Sequence, residues 1–70
     1  MMSRAYILKF DDTIVGVFKS KEGARAYLNK YFYIEDEFYH TDNFIDFKVQ
    51  HKEEESFKGY ISLMSYEVLD

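Results

Sequence analysis

Cysteine, proline and tryptophan are all absent from this chain of 70 residues, and glycine occurs three times. Without cysteine, neither a disulfide framework nor a thiolate zinc site can be built. The lack fits a reducing compartment. The glycines are scattered at positions 16, 23 and 59, so no glycine-rich loop is available to cradle a phosphate. No window approaches the 18 or more apolar residues of a membrane span. The opening Met-Met-Ser-Arg-Ala-Tyr-Ile-Leu-Lys holds only a short apolar run, closed by Lys9, and lacks the longer stretch and small-residue cleavage site of a signal peptide. The expectation is a cytoplasmic protein that binds no cofactor and has no membrane partner.

What is present is aromatic and acidic. Tyr and Phe number seven each, and the formal net charge is −4. A length of 70 residues makes residues 1–70 a single domain with a thin core. At roughly 0.05–0.15 kcal/mol per residue, such a chain is stable by about 4–10 kcal/mol. Domains this small draw on a staple or a second subunit, and with disulfides excluded the remaining supplements are very good packing or oligomerisation, of which a homodimer is the expectation. A thin core cannot hide every ring, so several are expected at the surface, where clustered aromatics mark binding sites.

The pattern along the chain predicts an α+β fold. Residues 5–10 and 13–18 are β-branched and aromatic runs separated by Asp11-Asp12, the signature of a hairpin. Gly16 within the second run predicts a bulge or a close approach. Ser20 is placed to cap a helix, and Glu22 suits its positive end. Ala24, Tyr27, Leu28, Tyr31 and Phe32 then recur at helical spacing. Tyr33 to His40 admits three readings: an extension of the helix, a short second helix, or an ordered loop. Thr41-Asp42-Asn43 is a break. Ile45, Phe47 and Val49 alternate with polar residues as in a half-buried strand. His51 to Ser56 is a polar turn. From Phe57 to Leu69 a long final strand is expected, with a helix over its middle as the alternative; apolar side chains occupy both faces, with Tyr60, Met64, Tyr66 and Val68 on one and Ile61, Leu63 and Leu69 on the other. The predicted order is ββαββ: a small antiparallel sheet with one main helix on one face. A last strand that is apolar on both sides needs a cover on its second side, and a second copy of the chain is the simplest one.

Signals of chemistry are few. His40 and His51 lie near Asp42 and Glu53, but neither spacing matches a metal-ligand motif, and both are read as surface histidines. A glycosidase-type carboxylate pair needs a cleft that a chain this short can hardly build. The expectation is therefore a protein that is not an enzyme, with no catalytic, cofactor or metal residues.

Charge is unevenly spread. Residues 1–30 carry six basic and three acidic side chains, a balance of +3, whereas residues 31–70 carry three basic and ten acidic ones, a balance of −7. The acids cluster as Glu35-Asp36-Glu37, as Asp42 and Asp46, and as Glu53-Glu54-Glu55. Tyr33, Phe38 and Tyr39 interleave with the first cluster. Acidity of this kind serves solubility. The sharper reading makes these carboxylates a surface for a basic partner, with Tyr33, Phe38 and Tyr39 as anchors. A DNA-binding protein has the required basic surface, and a row of carboxylates spaced like phosphates would compete with DNA for it. Direct nucleic-acid binding is opposed by the net charge. The alternatives are a nucleic-acid or small-ligand binder using Arg4, Lys19, Lys21, Arg25, Lys30 and exposed rings, or a structural oligomer subunit.

The run Ile14-Val-Gly-Val-Phe-Lys-Ser-Lys-Glu-Gly-Ala24, a strand leading into a capped helix, resembles a pattern in small phage and prophage proteins. The similarity covers about residues 5–32. Size, acidity and Tyr/Phe richness are similar to early phage products that disable host machinery, some of them by mimicking DNA. The resemblance implies a host-takeover inhibitor acting in the cytoplasm of the host cell. The nine basic residues depart from the extreme acidity of many DNA mimics.

Overall fold

A computed structural model describes residues 2–54 and 56–69, leaving the side chain of Met2 aside. The elements are β1 (Met2–Phe10), β2 (Thr13–Phe18), α1 (Lys21–Tyr31), β3 (Phe32–Thr41), β4 (Phe44–His51) and β5 (Lys58–Leu69). The strands form one five-stranded sheet in the order β2-β1-β5-β4-β3, with every neighbouring pair antiparallel. The α+β class, the antiparallel sheet and the single helix agree with the sequence pattern.

The order is ββαβββ and not ββαββ, because residues 32–41 form a strand where helix or loop was expected. The helix ends at Tyr31, and Phe32 turns to extended geometry (φ −133°, ψ 153°) while its N–H still bonds Leu28 O. Phe32 closes the core, 6% exposed, but from the first position of β3 and not from the helix. The register between β3 and β4 slips between Ile34 and Asp36, leaving Glu35 in a bulge. A bulge inserts one residue and shifts the alternation by one, which masks the two-residue period.

The hairpin stands as read. Asp11 adopts φ 54°, the left-handed conformation that the first residue of such a tight turn needs. The expected irregularity near Gly16 is a slip in which Leu8 pairs with Gly16 and Lys9 with Ile14. Gly16 is also approached closely: a Cβ there would lie 2.8 Å from the Phe18 ring. Ser20 caps the helix, its Oγ accepting from Gly23 N at 3.0 Å.

The core lies between α1 and one face of the sheet. Ala24 and Leu28 from the helix meet Leu8, Ile45, Phe47, Val49, Ile61 and Leu63 from β1, β4 and β5. Alternation along each strand sends the neighbouring side chains to the other face. Among the described residues no helix covers that face: their one helix packs on the core side, and seven of the ten exposed large hydrophobics (Ile14, Val17, Tyr33, Phe38, Tyr60, Tyr66 and Val68) point away from it. The prediction that β5 is apolar on both sides thus becomes an open, aromatic sheet face.

Candidate functional site

Strand order converts the charge asymmetry of the sequence into an asymmetry across the sheet. The strands β1 and β2 carry Arg4 and Lys9 and no acid; β3, at the opposite edge, carries Glu35, Asp36 and Glu37. As an edge strand, β3 presents side chains on both faces and along its free side. Only Phe32 of its ten residues is buried and seven are exposed, which makes it the most accessible of the acidic elements.

The eight predicted carboxylates do not form one row. Glu35 sits exposed in the bulge of β3, and Asp36 follows it with its Oδ1 accepting from Glu37 N at 2.8 Å. Glu37 points the other way, under the helix. Arg25 Nη2 donates to its Oε1 at 2.7 Å, as does Tyr39 Oη at 2.7 Å, and Arg25 Nη2 also reaches Tyr39 Oη at 2.7 Å. The Arg25 hydrogen bond, with that of Tyr39 second, holds the Glu37 carboxyl below its ordinary range against the opposing effect of burial. The bond to Glu37 in turn raises Arg25. Asp42 is exposed at the tip of the β3–β4 hairpin. Asp46 lies on the open sheet face, where Ser62 Oγ donates to Oδ1 at 2.6 Å and His40 Nε2 meets Oδ2 at 2.8 Å. Glu53 and Glu54 are at the other end of β4, in the loop before β5, with their backbone N–H groups donating to His51 Nδ1 at 3.1 and 3.2 Å. Glu55 lies outside the described residues.

The three predicted anchors separate as well. Tyr33 and Phe38 belong to the open face, Phe38 beside Tyr60 with ring centroids 6.2 Å apart. Lys52 Nζ lies over the Tyr33 ring at 5.3 Å. Tyr39 is on the helix side, 64% exposed although bonded to both Arg25 and Glu37. Glu35, Asp36, Asp42, Tyr33 and Tyr39 therefore form the β3 rim, while Glu37 and Asp46 are engaged within the chain and Glu53 and Glu54 stand apart.

Beside this rim an open cavity of about 470 Å³ is lined by Lys21, Tyr39, His40, Thr41, Asp42 and Ile45. It joins the start of the helix to the end of β3. His40 turns its ring away from the helix side, stacked on Phe44 at 4.6 Å. Among the described residues no group of three or more His, Asp or Glu side chains is placed to hold a metal ion. No helix among them is long and apolar enough to cross a membrane.

The basic residues of the alternative reading are dispersed. Arg25 is bound to Glu37 and Tyr39, and Arg4 is bound at a distant end of β1 by Asn43 Oδ1 and Ser65 Oγ, each at 2.9 Å. Sequence reasoning missed the Arg25–Glu37–Tyr39 cluster, which exists only because α1 lies across β3. The spacing of Glu37 and Tyr39 by two on one strand, on one face, was its only trace. Comparison finds no family model that matches the chain, no curated protein similar to it and no solved structure similar to it.

Proposed function

We propose that this chain is a non-enzymatic protein-binding module that docks a basic partner on the β3 rim. The observation that carries the reading is the accessibility of an acidic, aromatic edge strand. Glu35, Asp36 and Asp42 supply negative potential for encounter, and the rings of Tyr33 and Tyr39 supply area to desolvate. The bulges at Glu35 and near His40 interrupt the free edge of β3. A bulged edge is poorly suited to pairing with another strand, so the partner reads side chains and not the backbone ladder. The cavity next to Tyr39 offers a recess in which a lysine or arginine of the partner would approach Asp42. A DNA-binding protein fits this description, and the resemblance to phage products gives the setting of an inhibitor that occupies such a host protein. The reading moves the weight away from DNA mimicry toward a local docking site, since the carboxylates are not in one row.

The test is a pull-down from bacterial lysate with the tagged chain and with the Glu35→Lys/Asp36→Lys variant, at low and high salt, with and without added DNA. The reading expects one basic protein, released by salt and lost in the variant while circular dichroism is unchanged. Displacement by DNA would make that partner a nucleic-acid-binding protein. Equal recovery by the folded variant would remove the β3 rim from the account.

A further inference from the structure

We infer that a second copy of this chain covers the centre of the open face of the sheet, related to the first by a two-fold axis running along β5. The strand register carries the inference. β5 is the middle strand of five, and at residues 61–64 its side chains sit between a residue of β1 and a residue of β4. Ser62 lies between Lys9 and Asp46, and Met64 lies between Ile7 and Phe44. One strand further out, Ile14 pairs with Lys9 and Phe38 pairs with Asp46.

A half-turn about β5 lays β1 of one copy over β4 of the other, and β2 over β3. It sets Lys9 against Asp46, Ile7 against Phe44 and Ile14 against Phe38, and each pairing occurs twice. Opposite charges meet, apolar side chains meet apolar ones, and Met64 meets its own counterpart on the axis. An axis across the strands would instead bring β1 over β1 and β4 over β4, so that like charges share a side. The Asp46 carboxylate is already oriented by Ser62 and His40. Aligned sheets pack about 10 Å apart at about −30°, which preserves this correspondence best near the axis, where Lys9, Ile7, Phe44 and Asp46 lie.

β1 and β4 both flank β5 only at residues 61–64, so the facing strands overlap over about 13 Å and the contact is a compact one centred on Ser62 and Met64. Tyr33 and Asp36 share the stacked face but lie at the levels of Lys58 and Tyr60, beyond the overlap, and Glu35, Asp42 and Tyr39 are off that face, so the mass of the chain alone tests the stack separately from partner recovery.

Sedimentation analysis of the full chain at micromolar concentration tests it. The expected mass is twice 8.5 kDa. Lys9→Glu alone and Asp46→Lys alone each put like charges in apposition and should weaken association about tenfold. An equimolar mixture of the two single variants should regain a dimer, because each heterologous pairing restores an acid opposite a base. Met64→Lys, which sets two ammonium groups on the axis, should yield a monomer with an unchanged circular dichroism spectrum. A wild-type monomer at that concentration overturns the inference. So does a dimer that is indifferent to Lys9→Glu and Met64→Lys, or single variants whose mixture stays as weak as its components.

Discussion

Arg25 of α1 and Glu37 of β3 meet at 2.7 Å, and Tyr39 hydrogen-bonds both of them. The cluster ties the helix to the edge strand at a point where the core is thinning. Arg25 also lays its guanidinium over the Phe47 ring, 5.2 Å from the centroid, so the same side chain roofs the buried core. The helix is thereby fixed over the acidic strand by a contact between the basic and the acidic halves of the sequence.

Removing that contact should cost stability in a coupled way. Both side chains are about a third exposed, which limits the pair to about 0.5–1 kcal/mol. A double-mutant cycle of Arg25→Met and Glu37→Gln, followed by urea denaturation, should return a coupling of that size. Arg25→Met alone should cost more than Glu37→Gln, because it also uncovers Phe47. Strict additivity would contradict the cluster.

The same pair sets a pH dependence. The carboxyl of Glu37 is depressed in the folded protein, first by the Arg25 bond and then by Tyr39. A depressed acid contributes stability that is complete above its unfolded pKa and is lost as pH falls through the folded one. The wild type should therefore lose more stability than Glu37→Gln between neutral pH and the range below ordinary carboxylate titration. Thermal melts of the two proteins across that window should converge as pH falls; parallel curves would contradict the assignment.

Helix initiation rests on Ser20. Its Oγ accepts from Gly23 N, and Ala24 N donates to Ser20 O at 3.2 Å. Ser20→Ala should lower stability by about 1 kcal/mol, and Ser20→Asp should retain most of it. Equal losses from both substitutions in chemical denaturation would mean that the cap contributes nothing.

The first hairpin depends on a left-handed Asp11, with φ 54°. A β-branched residue is costly there, so Asp11→Val should destabilise by about 1–2 kcal/mol while Asp11→Gly is tolerated. Phe47 of β4 is wholly buried between the helix and the sheet. Phe47→Ala should cost about 3–5 kcal/mol, a large share of what a 70-residue domain possesses, and circular dichroism at growth temperature should show a partly unfolded population.

Much of this architecture is legible in the sequence where a single period runs unbroken. Ile45, Phe47 and Val49 announce β4 because nothing interrupts their alternation, and all three are buried. Tyr60 and Ile61 likewise show that β5 has two apolar faces. β3 hides because two signals conflict. Phe32 continues the helical spacing of Ala24 and Leu28, and the bulge at Glu35 then shifts the phase of the strand that follows. The candidate site is legible by composition and not by geometry. The run Glu35-Asp36-Glu37 reads as one acidic cluster, yet strand alternation and the bulge send Glu37 to Arg25 and leave its neighbours at the rim. Which carboxylates remain available is decided by tertiary contacts that no local pattern encodes.

The central claim is that β3 is where a partner docks. Amide hydrogen exchange, followed by mass spectrometry on the free chain and on its complex with the protein recovered by pull-down, tests it most directly. The free edge of β3 leaves outward amides open to exchange. The account predicts that complex formation slows exchange in peptides spanning residues 33–42 and leaves those of β1 and β2 unchanged. Protection confined to β1 and β2, with residues 33–42 exchanging as in the free protein, would contradict it.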